Sequence, residues 1–383
     1  MGNCRGSVPG APGSVKVLLA LAVFALALAA SVVRSTNLAA QAPEPKVILI
    51  TFDGARTEEI FGGLDVEALG STLAEGKRLE DNDTYKRFWA PTPEARREKL
   101  MPFFWGVLMQ KHGSIAGNTR LGSAVTLANT HRFSYPGYAE ILLGEAHDDQ
   151  IKSNDPIRNP YVTVLEEVRA RLALTKTQVA AFTSWNVFSA IVEHQEGAIT
   201  VNAGFAPFDS PEPSIQELSR LQRETITPWD SVRHDIYTFR FALDHLQRAR
   251  PRLLYLALGE TDDWAHDGRY DRVLDAYARS DAYLRQLWTW IESDPAYRGQ
   301  THLLITTDHG RGHTAKDWRS HGAKIEGAQD VWIALVSPSM SRRGEWRQQP
   351  ALRTNQVAAT VARWMGIDWR ALRPSAGSPI PAN

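Results

Sequence analysis

The chain has 383 residues, and its 43 lysines and arginines are balanced by 43 acidic residues. That length suits one α/β unit with insertions, and 43% hydrophobic against 22% charged residues excludes a disordered chain. With no net charge there is no field to draw in a nucleic-acid polymer or an anionic membrane, and neither is expected as a partner.

Residues 1–42 read as a secretory signal peptide. Arg5 and Lys16 precede an uncharged apolar stretch, residues 17–33, and small residues follow up to Ala42. The alternative is an uncleaved N-terminal anchor, but the stretch falls short of the about 20 residues of a spanning helix, so cleavage is favoured. Membrane contact is then confined to this segment, if it stays uncut, and the protein is expected to be periplasmic or secreted. Cys4, the only cysteine, lies in the leader. The mature chain would have no disulfide and no zinc–thiolate site, which suits an oxidising compartment.

Residues 43–383 alternate strand-like and helix-like runs. KVILITFDG predicts a buried parallel strand ending at Asp53. Residues 65–129 resist this pattern and are expected to be an insertion, with a helix-like MPFFWGVLMQKHG and a hairpin around Gly122. The turn HRFSYPGYAE presents a hydroxyl at Ser134. A helix over YVTVLEEVRARLAL and a strand at QVAAF follow. Residues 207–233 are polar and proline-containing, and predict a surface insertion over the sheet edge.

Further on come a helix over HDIYTFRFALDHLQRA and a strand RLLYLALG that leads into ETDDWAH. In the long helix that follows, Val273, Tyr277, Leu284, Leu287, Trp288 and Ile291 recur at three- and four-residue steps and form one face for the sheet. The strand HLLITTDHG ends at Asp308 and His309, DWRSHG adds His321, VWIALV predicts a strand, and TNQVAATVARWMGI a closing helix. The fold class is therefore α/β: a three-layer sandwich with a mostly parallel central sheet and helices on both faces.

Three apolar runs thus lead to aspartates on what would be one edge of one sheet, where open α/β sheets place their chemistry. Asp262 and His266 share a face if the segment is helical, because residues i and i+4 are neighbours. With His321 they offer three ligands and an open position, as catalytic zinc sites require. Asp53, Asp308 and His309 offer a second set. Mixed carboxylate and imidazole ligation suits two divalent cations, zinc first, with manganese where carboxylates dominate. Two metals about 3.5–4 Å apart clamp the attacking and leaving oxygens of an in-line displacement. Ser134 would be the nucleophile, its alkoxide favoured by a cation. Taken singly, each residue reads first as a cap, a turn or a satisfied polar group; the closed ligand sets carry the inference.

FDGAR after the first strand, SYPGY, ETDDWAH with its D-x-x-x-H spacing, TDHG and SHG, in this order, resemble the alkaline phosphatase superfamily, and within it the type I phosphodiesterase and nucleotide pyrophosphatase branch and its phosphoglycerate-mutase-like relatives. The late helix VAATVARWMGI resembles that superfamily's closing helix, so the matched pieces cover nearly all of residues 45–368. The resemblance implies an alkaline phosphatase-like fold, one metal on Asp53, Asp308 and His309, and another on Asp262, His266 and His321. Ser134 would bridge them as a nucleophile that forms a covalent phosphoryl intermediate. The family's phosphate-contacting asparagine points to Asn154 in IKSNDPIRNP, with Asn159 the competing choice.

The function expected is an exported two-metal hydrolase of small-molecule phosphate esters, a phosphodiesterase or phosphatase. A monoester would be served by Arg158 and Lys152, whereas a bare asparagine would tolerate a diester. The alternatives are a phosphomutase, a sulfatase, or a non-catalytic exported metal-binding protein. A sulfatase needs an arginine where Tyr138 stands in its C/S-x-P-x-R setting. Asp263, His313 and Asp317, beside the ligands, read as solvated loop residues, and Trp264 and Trp318 as packing or as pocket walls.

Overall fold

The computed structural model describes residues 1–7 and 44–381, so the apolar leader and its expected cleavage point lie outside the described residues. The chain divides into two compact units, Met1–Glu44 and Pro45–Asn383. Among the described residues no helix is long and apolar enough to cross a membrane.

The second unit is built on an eight-stranded sheet. Its strands are β1 (Lys46–Phe52), β2 (Gly113–Ala116), β4 (Val179–Thr183), β5 (Thr200–Ala203), β6 (Leu253–Leu258), β7 (Thr301–Thr306), β9 (Ile333–Val336) and β10 (Gly344–Glu345), in the order β10-β2-β9-β7-β1-β6-β4-β5. β9 runs antiparallel to both β7 and β2, and the other described pairings are parallel. A small second sheet joins β3 (Val125–Thr126), β8 (Asp330–Val331) and β11 (Leu352–Arg353).

Because side chains alternate along a strand, β1 feeds two cores. Ile48, Ile50 and Phe52 pack with Phe239, Leu246, Val273 and Leu287 from the helices Asp235–Ala249 and Tyr270–Ser293. Val47 and Leu49 pack on the other face with Ile141, Leu142, Val168 and Val361 from the helices Ser134–Leu143, Val164–Arg171 and Val357–Trp364. Such double-sided burial explains why the central strands read as continuous apolar runs. On the long helix Val273, Tyr277, Leu284, Leu287 and Ile291 are buried in the core, and Trp288 packs against it partly exposed.

Several expectations need correction. The segment 65–129 is more than an insertion, since it supplies β2 to the central sheet. No hairpin forms around Gly122: β2 pairs with β9 and β10, whereas β3 pairs with β8 and β11. Gly122 instead ends a short 3-10 turn with φ +69°. The helix-like MPFFWGVLMQKHG is a π-helix, Phe104–His112. VWIALV is split, with Val331 in the small sheet and Ile333–Val336 in the large one. Residues 207–233 carry the helix Pro213–Leu221 and end on the fully buried Arg233, which donates to Asn202 Oδ1 and Thr238 Oγ1, both at 2.8 Å.

Candidate metal and nucleophile site

The parallel register sets Phe52 of β1 beside Leu258 of β6, and Thr51 beside Thr306 of β7. The residues that follow these strands therefore emerge together. Asp53 comes directly after β1, Asp308 and His309 just after β7, and Asp262 and His266 one turn apart in the helix Glu260–His266 after β6. Ser134 begins the helix Ser134–Leu143, against the same edge. Gly137 permits the approach: a Cβ there would stand 2.2 Å from the Asp308 carbonyl oxygen. Gly54 is required for two reasons, its φ of +54° and a space that would put a Cβ 2.4 Å from Asp262 Oδ1.

His309 Nε2 is the hub. It lies 3.5 Å from Asp53 Oδ1, 3.5 Å from Asp308 Oδ2, 3.7 Å from Asp262 Oδ1 and 3.4 Å from Ser134 Oγ. Its other nitrogen, Nδ1, is 2.9 Å from the Gly310 carbonyl, which can only accept, so Nδ1 carries the proton. Burial and the neighbouring His321 hold the His309 pKa well below its ordinary value, and Nε2 therefore presents a bare lone pair. Beside it, Asp262 Oδ2 lies 3.1 Å from His266 Nε2, and His266 Nε2 lies 3.0 Å from His321 Nε2. Burial pushes His321 down to about 4, so it too is neutral.

On the side of Asp53 and Asp308 such an arrangement is repulsive without a cation. Asp53 Oδ1 and Asp308 Oδ2, the atoms that face His309, are buried without a hydrogen-bond partner. Burial, reinforced by the charges of Asp308, Asp262 and Asp263, raises Asp53 well above the usual carboxylate range. Asp308 is raised likewise, burial outweighing the Gly54 N–H that donates to its Oδ1 at 3.0 Å. The donor set is that of divalent cations, and among the described residues two groups with ligand atoms within 4.8 Å of one another emerge: Asp53, Asp308 and His309, and Asp262, His309 and His321. Asp53, Ser134, Asp262, His266, Asp308, His309 and His321 thus come together. His266 adjoins the second group through Asp262 and His321.

Asn154 reaches in from a distant loop, and its Oδ1 accepts the N–H of Tyr135, the residue after Ser134, at 2.9 Å. Asn159 is buried elsewhere, with its Nδ2 on Ile191 O and its Oδ1 on the Tyr161 N–H, and is a packing residue. Arg158 is held by Glu196 at 3.2 Å and by Ser189 O at 2.6 Å. Tyr138 is fully buried.

Of the flanking residues, Asp263 is no loop residue but lies half-buried in the helix Glu260–His266, where burial and the Asp262 charge raise it well above its usual range, while the exposed His313 and half-buried Asp317 sit in turns with bonded side chains. His313 bridges Glu58 at 2.5 Å and Asp330 at 3.0 Å, and Asp317 accepts the Thr314 N–H at 2.8 Å. Trp318 is buried, donates to Ser71 Oγ and packs edge-on to Tyr270. Trp264 packs against Trp229 at 4.6 Å.

Two residues at the site carry no sequence signal. Arg311, 1% exposed, donates from Nη2 to both Oδ1 and the backbone carbonyl of Asp262. Asp235, far from any motif, accepts the N–H of Gly259 at 2.8 Å at the start of the helix that carries Asp262 and His266. The GRG context of Arg311 hints at a tight turn, but nothing in the sequence says where its guanidinium goes.

No protein-family model matches the sequence, and no curated protein matches it. Solved structures do match. Alkaline phosphatase PafA is similar over 89% of this chain and 99% of its own, at 10% identity and a TM-score of 0.55. The phosphonate monoester hydrolase SpPMH from Silicibacter pomeroyi is similar over 88% of this chain and 78% of its own, at 11% identity and a TM-score of 0.53. The lipoteichoic acid synthase LtaP from Listeria monocytogenes is similar over 85% of this chain and 73% of its own, at 9% identity and a TM-score of 0.51.

Proposed function

From the alkaline phosphatase superfamily fold that this chain has, we propose that it is an exported, metal-dependent hydrolase of small phosphate esters acting through Ser134. The observation that carries the reading is the bare His309 Nε2, which faces Asp53, Asp308 and Asp262 with Ser134 Oγ 3.4 Å away. Asp53, Asp308 and His309 would hold one divalent cation, and Asp262, His266 and His321 the other, with zinc the best match to the donors. Bound there, the cations supply charge to favour the serine alkoxide and to offset charge that develops on the phosphoryl oxygens.

The chain's own residues do the rest. Ser134 Oγ attacks phosphorus, the Oγ–P bond forms and the bond to the leaving oxygen breaks. Water then cleaves the phosphoserine, returning the Ser134 hydroxyl and releasing the phosphoryl product. The N-terminus of the helix Ser134–Leu143 favours an anion near Oγ through its dipole, since the Tyr135 N–H goes to Asn154, Pro136 has none and the Gly137 N–H goes to the Phe133 carbonyl. Asn154, whose Oδ1 accepts the Tyr135 N–H, would offer its amide NH2 to a non-reacting phosphoryl oxygen.

A diester is favoured over a monoester because, of the two basic residues that would serve a monoester, Arg158 is spent on Glu196 and Ser189, which leaves Lys152 alone near Tyr135 for the extra oxygen. A sulfatase is disfavoured because Tyr138 occupies the position of the modification-signal arginine. Hydrolysis rates for phosphate mono- and diesters, phosphonate and sulfate esters, measured side by side on zinc-reconstituted protein and on Ser134→Ala, test the reading. Diester turnover that Ser134→Ala abolishes is expected. Turnover at the wild-type rate in Ser134→Ala would replace the covalent route with direct attack by water, and no turnover in any arm would favour a non-catalytic metal-binding protein.

A further inference from the structure

We propose that Arg311 is a built-in counter-cation of the Asp262 half of the site, so that the two metal positions bind with unequal affinity and the Asp53–Asp308–His309 position fills first. The inference rests on the two-metal reading above and deepens it. Arg311 follows the ligands Asp308 and His309 on the same loop, yet its guanidinium turns to the other ligand set. Nη2 contacts Asp262 Oδ1 and donates to the Asp262 carbonyl at 3.1 Å, while Nη1 donates to the carbonyl of Arg319. The side chain is 1% exposed, and its Nε is buried without a partner beside Gly54, so no edge is open to a substrate.

Arg311 holds one of the two oxygens of this set's carboxylate. Asp262 Oδ1 faces His309 at 3.7 Å and His321 at 3.9 Å, while Oδ2 faces His266 at 3.1 Å. Asp262 is the one carboxylate of its set, so a dication there meets two neutral imidazoles and a carboxylate whose charge is already offset by a guanidinium. The other position has two carboxylates, Asp53 and Asp308, each with an orphaned buried oxygen and neither with a basic side chain bonded to it. An arginine cannot give up its proton to relieve the conflict. Charges of like sign a few ångströms apart in a buried site repel strongly, and water screens them little.

Calorimetric titration of zinc alone into the chelator-stripped full chain tests the inference. The wild type is expected to bind in two separated steps, with the weaker step lost in His321→Ala and the tighter one in Asp308→Asn. Arg311→Gln, which keeps an amide donor but removes the charge, is expected to tighten the weaker step at least tenfold and leave the stronger one unchanged. Arg311→Lys, which keeps the charge, should retain the wild-type gap. Circular dichroism shows whether the variants fold; if Arg311→Gln does not, the separation of the wild-type steps and the Lys variant still decide. Two equal steps in the wild type, or a weaker step in Arg311→Gln that loosens or does not move, overturn the role of Arg311 and leave the two-metal reading standing. A wild-type chain that binds no zinc overturns both.

Discussion

Asp235 and Glu260 cap each other's helices. The Asp235 carboxylate accepts the Glu260 N–H at 3.1 Å, and the Glu260 carboxylate accepts the Asp235 N–H at 3.3 Å. Asp235 also takes the Gly259 N–H at 2.8 Å and the Ser184 hydroxyl at 2.6 Å, while His234 and Arg279 hold Glu260. Asp262 and His266 stand on a helix only seven residues long, and this exchange fixes its first turn. Asp235→Ala strands two buried N–H groups and should destabilise the fold by about 1–3 kcal/mol, with weaker zinc binding on the Asp262 side. Urea unfolding and zinc titration measure both, and a variant unchanged in each would show that the cap positions nothing.

Gly137→Ala should impair catalysis more than folding. The added methyl would meet the Asp308 carbonyl at 2.2 Å, so the serine helix must move away from the ligand loop. Overpacking of this kind costs about 1–3 kcal/mol, and a displacement of about 1 Å at reacting groups costs on the order of 100-fold in rate. A kcat within twofold of wild type would contradict the contact.

Asp308→Asn and His309→Ala should each lose activity together with one equivalent of bound metal. His313→Ala should keep both equivalents, because its nitrogens are taken up by Glu58 and Asp330. Elemental analysis after gel filtration distinguishes them, and metal loss in His313→Ala would mean that the ligand register is misplaced.

Asn154→Ala should lower kcat/KM while zinc stoichiometry stays at two, since Asn154 touches the turn that begins at Ser134 and no ligand. Steady-state kinetics on the best ester decides it, and an unchanged kcat/KM would remove Asn154 from the site.

His302 should give the fold an acid-side pH dependence. Burial pushes its pKa down from 6.5 to about 4, its Nδ1 has no partner, and its ring stacks on Trp364 at 4.8 Å. The unfolded chain therefore binds more protons between those values, so the stability contribution is complete above 6.5 and lost as pH falls towards 4. His302→Gln should flatten that part of the stability curve. Denaturation midpoints from pH 4 to 7 measure the slope, and an equal slope in both proteins would exclude His302 as its source.

The central strands and their aspartates are legible in the sequence because β1, β6 and β7 are buried on both faces and read as unbroken apolar runs. Asp53, Asp262 and Asp308 inherit that clarity from the strands before them. β5 and β10 are short and partly exposed, so pairing rather than pattern defines them. β2, though buried, is only GSIA, and the π-helix before it lacks a helical period of its own. Arg311 and Asp235 act through space on backbone and side chains far along the chain, and no local spacing encodes that. The same holds for Arg158, whose charge looks available until Glu196 is placed beside it.

The burial of the seven side chains gives the cleft a floor and a mouth. His309 and Asp308 are sealed, Ser134 lies beside them at 5% exposure, and the His266 side chain, across the cluster, is 49% exposed. Displacement at phosphorus runs in line, so a nucleophile that attacks from the floor expels its alcohol in the opposite direction. On the proposed route, the alcohol would leave on the side of the exposed His266. Bulk on it would then meet water rather than protein, and chain length there should scarcely alter the rate.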